Sequence, residues 1–160
     1  MKRLSVCMLF GCVFALGLGV LSCEAAEQET RTLTDANGRE VELNEDIQKA
    51  IVSNRYNLEI IRAVGAIDQV EAIDSLSYTN EAFWPEFTSD DVYGKGTRDL
   101  DYEKIISYNP DIFIVLPGQY SDEMAEKLSD YDIPVFVLNC ASGQTVEEYN
   151  EQIELCAEIF

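Results

Sequence analysis

Side chains that could carry out chemistry are few in this chain, and their types exclude several kinds of site. The sequence of 160 residues contains no histidine and five cysteines, and no two cysteines form a C-x-x-C motif. Common zinc sites need cysteine or histidine ligands, and a Ser-His-Asp triad needs an imidazole base. We therefore expect no catalytic residues, no resident metal and no cofactor.

The cysteines fall into two groups along the chain. Cys7 and Cys12 lie in an apolar N-terminal segment that ends at Cys23. Cys140 and Cys156 lie in the rest of the chain. In an oxidising compartment the last two can form a disulfide. The sequence does not establish that their geometry permits one, so pairing stays open.

A long predicted loop, residues 75–99, concentrates aromatic and basic side chains. It carries Tyr78, Phe83, Trp84, Phe87, Tyr93, Lys95 and Arg98. Loops of this length are uncommon in compact domains and are often functional. Packing onto the core explains Trp84 equally well, and a surface ion pair is the alternative explanation for Arg98.

The first 23 residues have the profile of an export signal. Lys2 and Arg3 precede an acid-free apolar run over residues 4–21, which is typical of a secretory signal peptide. We predict a signal peptide at 1–22, a polar tether at 23–30 and a folded domain at 31–160.

The segment Val-Leu-Ser-Cys that ends at Cys23 is similar to a bacterial lipobox, in which the cysteine receives a lipid anchor. Cleavage after Ala25 and retention as an uncleaved anchor are the alternatives. All three predict an extracytoplasmic location, either anchored to the outer face of the cytoplasmic membrane or periplasmic.

The chain is strongly acidic, with a net charge of −19. Removal of residues 1–22 leaves nine basic and thirty acidic side chains, a net charge of −21. Such a field repels phosphate backbones, so nucleic acid is not an expected partner. Solvation alone is sufficient to explain the acidic surface.

Strand and helix patterns alternate after a predicted N-terminal β-hairpin. The hairpin pairs residues 31–35 with 39–43 around Asn37 and Gly38, a dipeptide that takes the positive φ angles of a tight turn. Short apolar runs then predict strands at 50–53, 70–74, 112–116 and 134–139. The fold class is therefore α/β, with a short, mostly parallel sheet of about four strands and flanking helices.

Capping residues mark where the later helices begin. Asp101 is the predicted cap of a helix at 102–108, Ser121 that of the next, and Thr145 with Glu148 forms a capping box. In the last helix Tyr149, Ile153, Cys156 and Phe160 lie on one face. We expect that face to lack a cover within the chain, which predicts a fragment, a truncated reading frame or half of a larger protein; a natural partner chain is the alternative.

Four segments in order resemble one protein family. They are DANGREVEL, KAIVSNRYNLEIIRAVGAIDQVEAID, LDYEKIISYNPDIFIV and LSDYDIPVFVL. Together they resemble the N-terminal lobe of the substrate-binding proteins of ABC importers for iron siderophores, haem and vitamin B12. The resemblance covers about residues 33–160 and implies one lobe of a bilobed periplasmic-binding fold.

The resemblance also implies site residues and partners. Ligand-binding positions would be Arg55, Tyr56, Trp84, Arg98 and Tyr120, on loops that face a cleft between two lobes. Aromatic rings and guanidinium groups suit the flat, oxygen-rich surfaces of metal chelates. The implied partners are an ABC permease with its ATPase, a metal chelate or corrinoid, and the membrane through a lipid anchor.

Docking on the permease would use acidic side chains at the start of a helix, here Asp122 and Glu123. The helix dipole accounts for acids at this position without any partner. The resemblance implies no enzymatic activity. Two alternatives stay open: a non-functional remnant, and a lobe of a chelatase-like or nitrogenase-like enzyme, for which Cys140 is the available loop ligand.

Overall fold

The computed structural model describes residues 29–79, 81–118, 120–141 and 144–160. The predicted signal peptide, most of the predicted tether and the lipidation candidate Cys23 lie outside the described residues. Within the described ranges, no helix is long and apolar enough to cross a membrane.

Over those ranges the chain forms seven strands and four α-helices. The strands are β1 Thr30–Thr34, β2 Glu40–Asn44, β3 Ala50–Val52, β4 Val70–Asp74, β5 Val92–Gly94, β6 Ile112–Val115 and β7 Val135–Val137. The helices are α1 Arg55–Ala63, α2 Tyr102–Ser107, α3 Ser121–Ser129 and α4 Val146–Ile159. Short 3-10 helices occupy Ile67–Gln69 and Ser89–Asp91.

The described part of the chain builds a five-stranded parallel sheet in the order β5-β4-β3-β6-β7. The sequence predicted about four strands, because β5 lies inside the segment expected to be a loop. The chain adds strands on one side of β3 and then crosses to the other side with β6. The junction of β3 and β6 is therefore a topological switch point, where open α/β sheets bind ligands.

Helices cover both faces of the sheet. Successive strand residues point to opposite faces, so Val52 and Ile114 pack with α1 and α4, whereas Ile51 and Phe113 pack with α2 and α3. Each of these four side chains is fully buried. The central strands thus lie between two apolar layers, which fixes the positions of the loops at their ends.

The N-terminal hairpin has the predicted register, with Arg31 opposite Leu43. Its turn differs from the prediction, because Gly38 has a φ of 77° but Asn37 does not take a positive φ. The turn docks on the edge strand β7: the Ala36 amide donates to the Val137 carbonyl at 2.8 Å. Arg39 donates to the buried carboxylate of Asp35 at 2.7 Å.

Two of the three predicted caps are confirmed. The Asp101 carboxylate accepts from the Lys104 amide at 2.9 Å, and Thr145 with Glu148 forms a complete capping box. The prediction for Ser121 is wrong, because Tyr120 is the N-cap residue and Ser121 is the first residue of α3. The Ser121 hydroxyl donates instead to the Gly118 carbonyl at 3.0 Å.

The apolar face of α4 is covered by this chain itself, contrary to prediction. Cys156 and Ile159 are fully buried in the core that α4 shares with α1 and the sheet, and Tyr149 and Ile153 pack against it. Cys140 and Cys156 are both free and buried. Burial raises the pKa of each thiol to about 12.

Candidate functional site

An open depression of about 520 Å³ lies at the carboxyl edge of the sheet. All five strands run parallel, so the loops that follow them meet at this edge. The depression is lined by the residues after β3, β4, β5 and β6 and by the start of α3. It therefore occupies the switch point between β3 and β6.

Three cations line the depression: Arg55, Lys95 and Arg98. Among the described lining residues they face a single acid, Asp74. None of the three forms an ion pair with a described residue, although the chain has thirty acidic side chains. A guanidinium or ammonium group without a carboxylate partner is available to an anionic ligand.

Arg55 and Tyr56 begin α1, directly after the loop that follows β3. The Arg55 guanidinium donates to the Tyr56 hydroxyl at 3.1 Å and lies 4.9 Å from the centroid of its ring. This hydrogen bond raises the pKa of Arg55, so the side chain stays charged at every relevant pH. The pair presents a cation beside an aromatic surface.

Lys95 and Arg98 are held by a tight loop after β5. The Lys95 amide donates to the Asp99 carbonyl at 3.1 Å, and the Asp99 amide donates to the Gly96 carbonyl at 3.3 Å. A Cβ on Gly94 would lie 2.9 Å from the Asp99 oxygen, so only glycine permits this approach. Both cations are exposed at the rim.

Apolar and aromatic side chains complete the rim. Tyr120, at the start of α3, is 37% exposed, and Leu76, after β4, is 66% exposed. Together with Tyr56 they give the depression rigid hydrophobic walls next to its cations. Surfaces of this kind suit a ligand with both flat and charged parts.

Trp84 does not line the depression, which corrects its assignment as a ligand-binding residue. Its side chain is 2% exposed and belongs to the core. The Arg62 Cζ atom lies 4.0 Å from the centroid of the Trp84 ring, and Arg62 pairs with Glu86 at 2.6 Å. Arg62 of α1 thereby fixes the loop on the core. Four of the five predicted ligand-binding residues thus meet in one place, and Trp84 is elsewhere.

The sequence reasoning missed Asp74 and Lys95. Asp74 ends β4, is 2% exposed and accepts hydrogen bonds only from neutral groups. The backbone amides that donate to it cannot be recognised in a sequence. The available sign was an acidic residue at the carboxyl end of a buried strand. Lys95 was predicted to lie in the loop but was not assigned to the site. Its position between Gly94 and Gly96, two residues that allow a tight turn, was the available sign.

Asp122 and Glu123, the predicted docking acids, lie in the first turn of α3 and are exposed. Asp122 is 84% exposed and pairs with Arg39 at 3.3 Å, and Glu123 pairs with Lys127 at 2.7 Å. The latter hydrogen bond raises the pKa of Lys127. Both acids therefore have cations of their own chain as partners.

No cluster of three or more metal-ligating side chains occurs among the described residues. Cys140, the loop cysteine on which an enzymatic alternative depends, is 2% exposed and does not line the depression. The arrangement offers hydrogen bonds, charge and apolar surface to a ligand.

Several solved protein structures are similar to this chain in fold. A solute-binding protein from Veillonella parvula aligns with 82% of the chain at 19% identity and a TM-score of 0.67. The molybdate-binding protein of Haemophilus influenzae aligns with 81% at 24% identity and a TM-score of 0.65. A catecholate-siderophore binding protein from Vibrio cholerae aligns with 82% at 20% identity and a TM-score of 0.64. All three are described as periplasmic binding proteins. The chain has the fold of one lobe of such a protein.

The chain aligns with 41% of the Veillonella structure and with 46% of each of the other two. The aligned part of the chain thus covers less than half of each of these solved proteins. A haem-binding protein has the same fold. No protein-family model and no curated protein sequence matches the chain.

Proposed function

We propose that this chain is an extracytoplasmic solute-binding component of an ABC importer and that its depression binds an anionic metal chelate. The observation that carries the proposal is the group of three cations, Arg55, Lys95 and Arg98, at the carboxyl edge of the sheet. The described residues include nine cations, and of the five without an ion pair (Lys49, Arg55, Lys95, Arg98 and Lys104) three meet at this depression. Solved proteins of the same fold bind a catecholate siderophore, molybdate and haem.

The chemistry of the depression favours a multiply charged chelate over a neutral one. Three fixed cations attract a trianionic ferric catecholate complex strongly, and the walls of Tyr56 and Tyr120 contact its aromatic rings. An uncharged hydroxamate complex gains little from the cations. Corrinoids and haem use the same aromatic walls, but they carry fewer charges that could meet all three cations.

A titration of the full-length chain in non-ionic detergent tests this proposal. The probes are the ferric complex of a hexadentate tris-catechol ligand, which is trianionic, and that of a hexadentate tris-hydroxamate ligand, which is uncharged. We expect saturable binding of the tris-catechol complex, which quenching of the protein fluorescence measures. Binding of neither chelate, or equal binding of both, contradicts the proposed ligand class.

Charge-neutralising variants identify the site in the same titration. Arg98→Gln and Lys95→Gln should each weaken binding of the trianionic chelate about tenfold, since a hydrogen bond to a charged group contributes about 1.5–3 kcal/mol. Lys49→Gln is the matched control, because Lys49 is exposed and does not line the depression. An equal effect of all three variants indicates non-specific charge attraction.

We propose further that Asp122 and Glu123 bind arginine side chains of a permease. Both are exposed beside the depression, and their intramolecular partners, Arg39 and Lys127, would be exchanged for cations of the transporter. Asp122→Asn with Glu123→Gln should abolish uptake in cells without changing chelate affinity. Loss of chelate affinity in this double variant contradicts a docking role.

Membrane attachment through a lipid on Cys23 is also part of the proposal. Its support is the lipobox-like segment alone. Cys23→Ser should release the chain from the membrane fraction, and mass spectrometry of the wild-type N-terminal peptide should detect the acyl chains. An unmodified Cys23 in membrane-bound protein contradicts lipidation.

A further inference from the structure

The side chain of Asp74 connects three of the loops that form the depression. Its Oδ2 atom accepts from the Asn54 amide at 2.7 Å and from the Ser77 hydroxyl at 2.7 Å. Its Oδ1 atom accepts from the Leu76 amide at 2.9 Å and from the Ser77 amide at 3.0 Å. The third loop passes close to the same carboxylate, because a Cβ added to Gly96 would lie 3.8 Å from Oδ1.

Asn54 is held in a conformation that residues other than glycine rarely adopt. Its φ is 88° and its ψ is 129°, which lies outside the regions that residues with a side chain normally favour, so the backbone is strained there. Such strain persists only where surrounding contacts enforce it. The hydrogen bond from the Asn54 amide to Asp74 is one such contact, and Arg55 is the next residue along the chain.

The charge of Asp74 is compensated by these four hydrogen bonds and by no cation within ion-pair distance among the described residues. A buried carboxylate without a cation is an expensive way to stabilise a fold. The Asp74 carboxylate accepts hydrogen bonds from backbone amides of separate loops. Each bond fixes the position of a loop that bears a ligand-facing side chain, which explains why the buried charge is present. Lys95 directly precedes Gly96, and Arg98 follows it by two residues.

We propose that Asp74 is the positioning residue of the depression, setting the placement of Arg55 relative to Lys95 and Arg98 without contacting the ligand. This inference rests on the proposed function for its ligand. The Asp74 carboxylate acts through the Asn54 amide on one side and through the Gly94–Gly96 turn on the other. A multiply charged ligand needs all three cations at fixed separations, so affinity depends on this carboxylate.

Asp74→Asn is the variant that tests the proposal, with Asp35→Asn as its matched control. The asparagine NH₂ group faces hydrogen-bond donors in either orientation, so at least one loop amide loses its acceptor. Asp35 is also buried, but its carboxylate joins Arg39 and the Val137 amide on β7 and has no hydrogen bond to a described residue that lines the depression. Both variants remove a buried charge, and only one of them touches the site.

Two measurements on the full-length chain decide the matter. In Asp74→Asn, amide hydrogen exchange should become faster for Asn54, Leu76, Ser77 and residues 94–98, while β3 and β6 stay protected. The affinity of the same variant for the trianionic tris-catechol chelate should fall about tenfold or more. Asp35→Asn should leave both unchanged under conditions that give the two variants equal unfolding free energies. Unchanged loop exchange in Asp74→Asn overturns the proposal, as does equal loss of affinity in the control.

The two proposals fail in different ways. If the wild-type chain does not bind the chelate, the proposed function fails, while the exchange rates still decide the role of Asp74. If Asp74→Asn does not fold, Ser77→Ala takes its place in the exchange experiment, because it removes one of the four bonds and keeps the carboxylate. Faster exchange at Asn54 in Ser77→Ala supports the role, and unaltered exchange there contradicts it.

Discussion

The guanidinium of Arg62 lies over the ring of Trp84, with 4.0 Å between the Arg62 Cζ atom and the ring centroid. The ring centroid of Phe83 lies 4.9 Å from that of Trp84 in an edge-to-face contact and 5.1 Å from the same Arg62 Cζ atom. The Arg62 side chain also donates to the Phe83 carbonyl at 2.8 Å. This contact holds the segment before β5 against α1, so Trp84 has a structural role.

Trp84→Ala should therefore destabilise the protein without weakening ligand binding. Removal of a buried tryptophan costs about 3–5 kcal/mol, which chemical denaturation measures as a lower midpoint. Tyr131→Ala is the control, because Tyr131 is 52% exposed and its loss should change the midpoint little. A selective loss of chelate affinity in folded Trp84→Ala would restore this residue to the site.

Gly94→Ala should disturb the loop of Lys95 and Arg98. The added Cβ meets the Asp99 carbonyl at 2.9 Å and the Asp101 amide nitrogen at 3.3 Å, and both are backbone atoms that cannot rotate away. We expect a loss of about 1–3 kcal/mol in unfolding free energy, as for overpacked sites, and weaker chelate binding. Gly118→Ala is the control, since no atom lies within 4 Å of its added Cβ; equal effects of the two substitutions would argue against the steric explanation.

The stability of α4 should depend on pH through Glu148. Hydrogen bonds from the Thr145 amide and hydroxyl lower the pKa of the Glu148 carboxyl. Because the folded-state pKa lies below the unfolded one, the stabilisation is complete above the unfolded pKa of about 4.3 and is lost as the pH falls through the folded value. NMR titration should give a Glu148 pKa below that of a glutamate in an unstructured peptide, and Thr145→Ala should raise it only in part, because the hydroxyl donor is lost but the backbone amide of residue 145 still donates.

Cys140 and Cys156 should resist thiol reagents in the native state. Both are buried, and burial raises the pKa of each to about 12, so little thiolate forms near neutral pH. A variant with Cys7, Cys12 and Cys23 replaced by serine isolates the two. An aromatic disulfide reagent should react with neither at pH 8 and with both in denaturant; rapid native reaction would show that this part of the core opens readily.

The elements with a local signal were predictable from the sequence. The hairpin register follows from Asn37-Gly38 and its flanking residues, and the starts of α2 and α4 follow from Asp101 and Thr145. Strand β5 was not predictable in the same way. It has three residues and no alternation, and it exists because Val92 and Gly94 pair with Ile73 and Asp74 of β4.

The grouping of basic and aromatic side chains at one edge of the sheet was predictable, but the place of Asp74 among them was not. Arg55, Tyr56, Arg98 and Tyr120 meet at one edge because parallel strands bring their loops together. Trp84 was misplaced because its packing depends on Arg62, a partner distant in sequence. Asp74 was missed because most of its partners are backbone amides, which every residue except proline has.

The docking of the hairpin turn on β7 has a consequence for the order of events during synthesis. Ala36 bonds to Val137, and the buried Asp35 accepts from the Val137 amide, so about a hundred residues separate two groups that need each other. While the ribosome makes the intervening segments, the hairpin turn has no β7 strand to pack against. During that time the Asp35 carboxylate can accept hydrogen bonds only from the Arg39 side chain and from its own turn. Completion of the last strand should therefore be the event that anchors the hairpin turn, and nascent chains that stop before Val137 should remain protease-sensitive at their N-terminal end.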